Sequence, residues 1–176
     1  MAERGTFLVP NLIAYQSIAK YGRAQGYPLA GLAKLDEILN VGARSIELAM
    51  HSGVKIAYGS DLVKDPESQS KEFLIRSEVM SPIDVIRSAT ITGAEVVRMP
   101  NRIGEICEGA IADIIAVDGN PLSDLTLLGE QGKHIPMIMK AGVVEIDETN
   151  PINAQQWCQG WFPPELPPHQ EHRAED

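Results

Sequence analysis

Cysteine is nearly absent from this chain. The two present, Cys107 and Cys158, lie far apart and make no metal-ligand spacing, so a disulfide framework is excluded and a reducing compartment is expected. Aromatic residues make up only 5%, and 15 Lys and Arg stand against 24 Asp and Glu for a formal charge of −9. A nucleic acid or an anionic membrane surface would be approached against repulsion. No stripe of Lys and Arg with interleaved aromatics relieves that. No apolar run reaches the roughly 20 residues of a membrane helix, and no glycine-rich phosphate loop is present. The N-terminal Met-Ala-Glu-Arg-Gly-Thr-Phe has neither the apolar centre of a secretory signal nor a long Arg/Ser-rich transit pattern. The expectation is a soluble, cytoplasmic protein with no nucleic-acid or membrane partner. With 44% hydrophobic content over 176 residues it can bury a core.

The stretch around which the rest is organised is Gly53-Val54-Lys55-Ile56-Ala57-Tyr58-Gly59-Ser60-Asp61. A short apolar run hands over to two small residues and then one carboxylate, as a buried parallel strand delivers a catalytic side chain to the rim of an α/β sheet or barrel. The same residues also suit an ordinary turn with a helix N-cap. Upstream, Thr6-Phe7-Leu8-Val9-Pro10 reads as a short strand that Pro10 cuts off. A short helix over residues 13–21 and a loop follow, with Asn11 and Tyr15 as candidates to line a pocket at the strand end.

Residues 35–50 predict an amphipathic helix, with Leu35, Ile38, Leu39, Ala43, Ile46, Ala49 and Met50 on one stripe and Asp36, Glu37, Asn40, Arg44 and Glu47 elsewhere. Val41 and Leu48 fall off the stripe, where a neighbouring helix could meet them. Gly53 suits a left-handed stop. Past Asp61, residues 64–71 predict a long loop and residues 72–79 a helix. Ser81-Pro82-Ile83-Asp84 gives an N-cap, a proline in the first turn and an acid, and Thr92-Gly93-Ala94-Glu95 repeats the capping-box pattern. The character then changes. Residues 114–117 predict a strand closed by Asp118-Gly119-Asn120-Pro121, and residues 135–146 a hairpin about Ala141-Gly142, forming a separate small sheet. His51 sits in a last helical turn and His134 at the hairpin entrance, both surface positions. Residues 149–176 carry five prolines and a polar, acidic end, which predicts a largely disordered tail on which Trp157, Trp161 and Phe162 could dock back. His169 and His172 there are poor metal ligands.

The order of these motifs resembles the C-terminal part of the amidohydrolase superfamily, in its imidazolonepropionase-like and prolidase-like branch, over residues 5–147. Its most specific piece is Ile103-Gly104-Glu105-Ile106-Cys107-Glu108-Gly109-Ala110-Ile111-Ala112-Asp113-Ile114-Ile115-Ala116-Val117-Asp118-Gly119-Asn120-Pro121-Leu122. The resemblance implies an α/β chain that is the C-terminal fragment of a (β/α)8 TIM barrel, its last two strands and their helices, plus part of a small composite β-domain. The division would be residues 1–98 for the barrel remnant, 99–148 for the β-domain part and 149–176 for the tail. It implies one or two divalent metals, zinc above all, and a small-molecule amide substrate. Asp61 would match the Asp at the end of the eighth barrel strand, binding metal and taking the proton of a metal-bound water before returning it to the departing amine. Asn11 and Tyr15 would bind substrate, with Glu72 a pocket neighbour.

The chain departs from the family pattern in carrying no His-x-His pair, no bridging Lys or Glu and no histidine at a strand end. A complete barrel takes about 250 residues. The expectation is therefore a fragment or truncated gene model, inactive and metal-free by itself, with open strand edges that favour self-association. A non-catalytic remnant or partner-binding module is the alternative, and a small α/β phosphate-binding domain a weaker third.

Overall fold

The structure is a computed structural model that describes residues 1–24, 26–62 and 65–149. The expectations for the tail, including Trp157, Trp161, Phe162, His169 and His172, lie outside the described residues.

Helix α3 (Leu35–His51) forms where the sequence pattern asks for it, and every residue of the predicted stripe is buried or half-buried while its charged residues are exposed. Gly53 stops it at φ 69°, with its own N–H on Met50 O and the Val54 N–H on Ala49 O. Helix α1 (Leu12–Tyr21) crosses α3 where Gly42 is buried. A Cβ on Gly42 would stand 2.8 Å from Leu12 Cδ2, so a larger residue would have to displace the Leu12 side chain. Val41 and Leu48 are 52% and 69% exposed, without the neighbour the sequence invites. Between α1 and α3 the chain makes one unexpected turn of helix, α2 (Leu29–Leu32), begun by the fixed φ of Pro28.

The two predicted strands lie side by side and parallel, but pair at one position only, Leu8 with Ile56. Leu8 N–H donates to Lys55 O and Ala57 N–H to Leu8 O, each at 2.9 Å. Two things stop the ladder there. Pro10 has no N–H to give to Ala57 O, and Arg76 takes both Ala57 O and Pro10 O, the carbonyls that would carry the pairing on.

Beyond Asp61 the predicted loop tightens into a 3-10 helix, Pro66–Lys71, running into α4 (Glu72–Ser77). Helix α5 (Pro82–Ala89) begins as predicted, with Ser81 Oγ accepting from Asp84 N–H. Helix α6 (Ile91–Val96) lacks the predicted Thr92 capping box: it starts at Ile91, and the Thr90 hydroxyl at its N-cap donates back to Ile86 O at 2.9 Å.

Strands β1 (Ile114–Ala116), β2 (Met137–Lys140) and β3 (Val143–Asp147) form an antiparallel sheet in that order. Ala141 and Gly142, both at positive φ, make the predicted two-residue hairpin turn. Ile115, Ile138 and Ile146 lie in one cross-strand row. Between β1 and β2 a short helix, α7 (Thr126–Gly129), brings Leu125 and Leu128 into the core with Leu12, Ile13, Ile46, Ile56, Ile75, Met80 and Val85. None of the helices among the described residues is long and apolar enough to cross a membrane.

Candidate active site

The site forms where the two parallel segments end. After its bridge at Leu8 the first segment turns at Pro10, and Asn11 becomes the N-cap of α1. The second runs through the buried Ile56 and Ala57 to Tyr58, then Gly59, Ser60 and Asp61. A Cβ on Gly59 would stand 2.6 Å from Asn11 Oδ1 and 2.7 Å from Val9 Cγ1, so a larger residue there would have to displace those side chains. The two segment ends therefore touch through Asn11 and Gly59.

Asp61 is exposed and takes φ 52°, a left-handed conformation that Asp tolerates better than most residues and that concentrates at functional positions. It borders a pocket of about 410 Å³ that Asn11 and Tyr15 also line, with apolar walls from Leu8, Pro10, Ile18 and Ile38. All three residues singled out in the sequence thus face one cavity. Asn11 Oδ1 is buried without a hydrogen-bond partner, an acceptor left open beside the turn that carries Asp61.

Glu72 is not a pocket neighbour. It is fully buried beneath the site, as is Arg76 one turn on. Arg76 Nε donates to Glu72 Oε1 at 2.9 Å, Nη1 to Ala57 O at 2.9 Å and Ser88 Oγ at 3.3 Å, and Nη2 to Pro10 O at 2.8 Å. Glu72 Oε2 accepts the Ile13 N–H at 2.8 Å, one of the amides the first turn of α1 leaves free. Burial pushes the Glu72 carboxyl above its usual range, while the Ile13 N–H and Arg76 pull it back. The guanidinium also lies 5.0 Å from the Tyr58 ring centroid, and burial raises the Tyr58 phenol. Tyr58 Oη donates to Gln69 O at 2.9 Å. Nothing local to α4 marks Glu72 and Arg76 as buried. Only the partners at Pro10, Ile13 and Ala57, far away along the chain, reveal the buried role.

Residues 1–144 match the model of the amidohydrolase family. The chain belongs to that family. The resemblance drawn from the motif order is borne out at that level, prolidase-like members included. This amidohydrolase chain is 27% identical over 144 residues to an ochratoxinase from Aspergillus niger, a span that covers 81% of this chain and 30% of that protein. It is 43% identical to an amidohydrolase of known crystal structure, with a TM-score of 0.80 over 85% of this chain and 36% of that one. A crystal structure of a prolidase complexed with N-methylphosphonate-L-proline is 38% identical, with a TM-score of 0.78 over 82% of this chain and 36% of that one. The chain thus spans about a third of the length of these relatives.

The amidohydrolase superfamily generally uses divalent metals. Among the described residues no three His, Cys, Asp or Glu side chains come together. His51 is exposed with Nδ1 2.8 Å from Glu47 O, and His134 Nε2 lies 3.2 Å from Glu130 Oε2. Asp61 is then a lone carboxylate, and the described residues by themselves do not fit a four-ligand zinc site.

Proposed function

We propose that this chain is the C-terminal portion of a metal-dependent hydrolase of carbon–nitrogen bonds, carrying the last two strands of a (β/α)8 barrel with their helices and part of a composite β-domain. The observation that carries the reading is Asp61, a carboxylate at the end of the second parallel segment, in one pocket with Asn11 and Tyr15. In the complete enzyme Asp61 takes a proton from the water that attacks an amide carbonyl. As the new C–O bond forms and the C–N bond breaks, that proton passes to the departing amine. Asn11 and Tyr15 line the substrate side, and the substrate is a small amide, dipeptide-like or non-peptide, as the names of the prolidase and ochratoxinase relatives suggest. Zinc is the metal proposed for the complete enzyme, its remaining ligands lying outside the described residues. The protein is read as cytoplasmic and free of nucleic acid, and its short, singly paired strands as prone to self-association.

In an assembly that supplies the rest of the barrel, Asp61→Asn should abolish amide hydrolysis and leave the circular dichroism spectrum unchanged; turnover near that of the unaltered assembly would remove Asp61 from the mechanism. The chain alone should keep no stoichiometric zinc through gel filtration and should not hydrolyse N-acyl amino acids or dipeptides. Zinc-dependent turnover by the chain alone would refute that. The alternative, a non-catalytic remnant or partner-binding module, is favoured by the lack of a three-residue ligand cluster among the described residues. Activity of the completed assembly separates the two.

A further inference from the structure

Asn11 sits between two backbone atoms held by one buried ion pair. On one side Pro10 O accepts from Arg76 Nη2, and on the other Ile13 N–H donates to Glu72 Oε2, at 2.8 Å each. The same guanidinium holds Ala57 O, the last buried carbonyl before Tyr58 and the turn to Asp61. Arg76 thus reaches both segment ends at once and Glu72 anchors the helix that Asn11 begins. A forked, planar cation can do this where an ammonium cannot, because its donors point in fixed, divergent directions. Both side chains are fully buried, and a buried ion pair adds little net stability compared with apolar residues of the same shape. Their value lies in geometry.

We infer that Glu72 and Arg76 are the positioning residues of the Asp61 site, fixing Asn11 against Gly59 and so setting the pocket wall that Asn11, Tyr15 and Asp61 share. The inference deepens the hydrolase reading and rests on it for the identity of the site. The placement itself stands on the hydrogen bonds alone.

Heteronuclear NMR on the full chain tests this, comparing the unaltered protein with Glu72→Gln, Glu72→Leu and Arg76→Lys. Glu72→Gln keeps the shape but offers one oxygen where Glu72 accepts from two donors, Ile13 N–H and Arg76 Nε–H. It should shift the Asn11 side-chain amide and the backbone signals of Gly59, Ser60 and Asp61 by less than Glu72→Leu does. Glu72→Leu and Arg76→Lys should shift those signals while β2 and β3 stay in place. In Glu72→Leu the Ile13 amide should exchange with solvent about tenfold faster or more, as the loss of a hydrogen bond to a charged group implies. A pair that merely stabilises would lower the unfolding midpoint without moving the Asn11 and Gly59 to Asp61 signals, and that result overturns the inference. Where Glu72→Leu and Arg76→Lys fail to fold, exchange in the unaltered chain decides. Ile13 and Ala57 amides opening in one common step support the inference, and Ile13 opening separately and earlier overturns it. None of these readouts needs turnover, so their failure is distinct from failure of the Asp61 reading, which the Asp61→Asn assay judges.

Discussion

Replacing Arg76 by Met removes a guanidinium that is wholly buried and donates to Glu72, Ala57 O, Ser88 Oγ and Pro10 O. The thioether fills much of the space. The Glu72 carboxylate is left with the Ile13 N–H, and breaking a buried pair this way costs about 3–5 kcal/mol. Set against a total stability of about 5–15 kcal/mol, that is a large share. With a urea slope of about 1–3 kcal/mol per molar, the midpoint of Arg76→Met should fall by roughly 2 M at pH 7. The cost has a sign in pH. Burial already raises Glu72 in the folded state, and removal of Arg76 raises it further. A carboxyl whose folded pKa exceeds its unfolded value destabilises the fold above that range and ceases to do so once protonated. The deficit should therefore shrink as pH falls from 7 toward 5. Urea unfolding followed by circular dichroism at the two pH values measures it. A drop below about 0.5 M, or an equal drop at both pH values, would refute the assignment of Glu72 as a carboxylate held in place by Arg76.

Gly59→Ala should destabilise by about 1–3 kcal/mol through overpacking against Asn11 Oδ1 and Val9 Cγ1, read as a lower urea midpoint. An unchanged midpoint would mean that the two segment ends are not in contact. Asp113 is held below the usual carboxylate range by Lys140 and by the Ala141 N–H. Its contribution is present above the unfolded pKa, near 3.9, and is lost as pH falls through the lower folded value. Amide protection in β2 and β3 should accordingly weaken below about pH 4 in the unaltered chain, and Asp113→Asn should remove that dependence.

What local periodicity determines was legible. The α3 stripe, the Gly53 stop, the Ser81 cap and the Ala141-Gly142 turn each depend on residues within a few positions of one another. What failed depends on distant partners. Residues 6–10 and 54–58 read as strands, yet their ladder is cut to one bridge because Pro10 has no N–H and Arg76, far along the chain, takes Ala57 O and Pro10 O. Thr92-Gly93-Ala94-Glu95 has the letters of a capping box, but Thr90, its hydroxyl already given to Ile86 O, takes the N-cap position first. The resemblance makes Glu72 a pocket neighbour, and nothing local to α4 opposes that. Only the folded chain brings Pro10, Ile13 and Ala57 around it and its partner. Asp61, Asn11 and Tyr15, which border one pocket, could be picked out because each follows or ends an apolar run. The pair that holds the backbone at Pro10, Ile13 and Ala57 could not.

The placement of α4 joins these observations. Its Glu72 and Arg76 support the site, while Leu74 packs on α7, where a Cβ on Gly129 would stand 2.8 Å from Leu74 Cγ. Just before α4, Ser70 Oγ donates to Gly129 O and accepts from Gln131 N–H, both at 2.9 Å. Leu125 and Leu128 reach the same core as Ile13 and Ile56. The segment between β1 and β2 therefore bears on the helix that positions Asn11 and the approach to Asp61. One guanidinium holds Pro10 O and Ala57 O at once, so the helix that packs on α7 is also bonded to both segment ends. The part of the chain with no chemistry of its own is thus mechanically continuous with the part that carries the carboxylate.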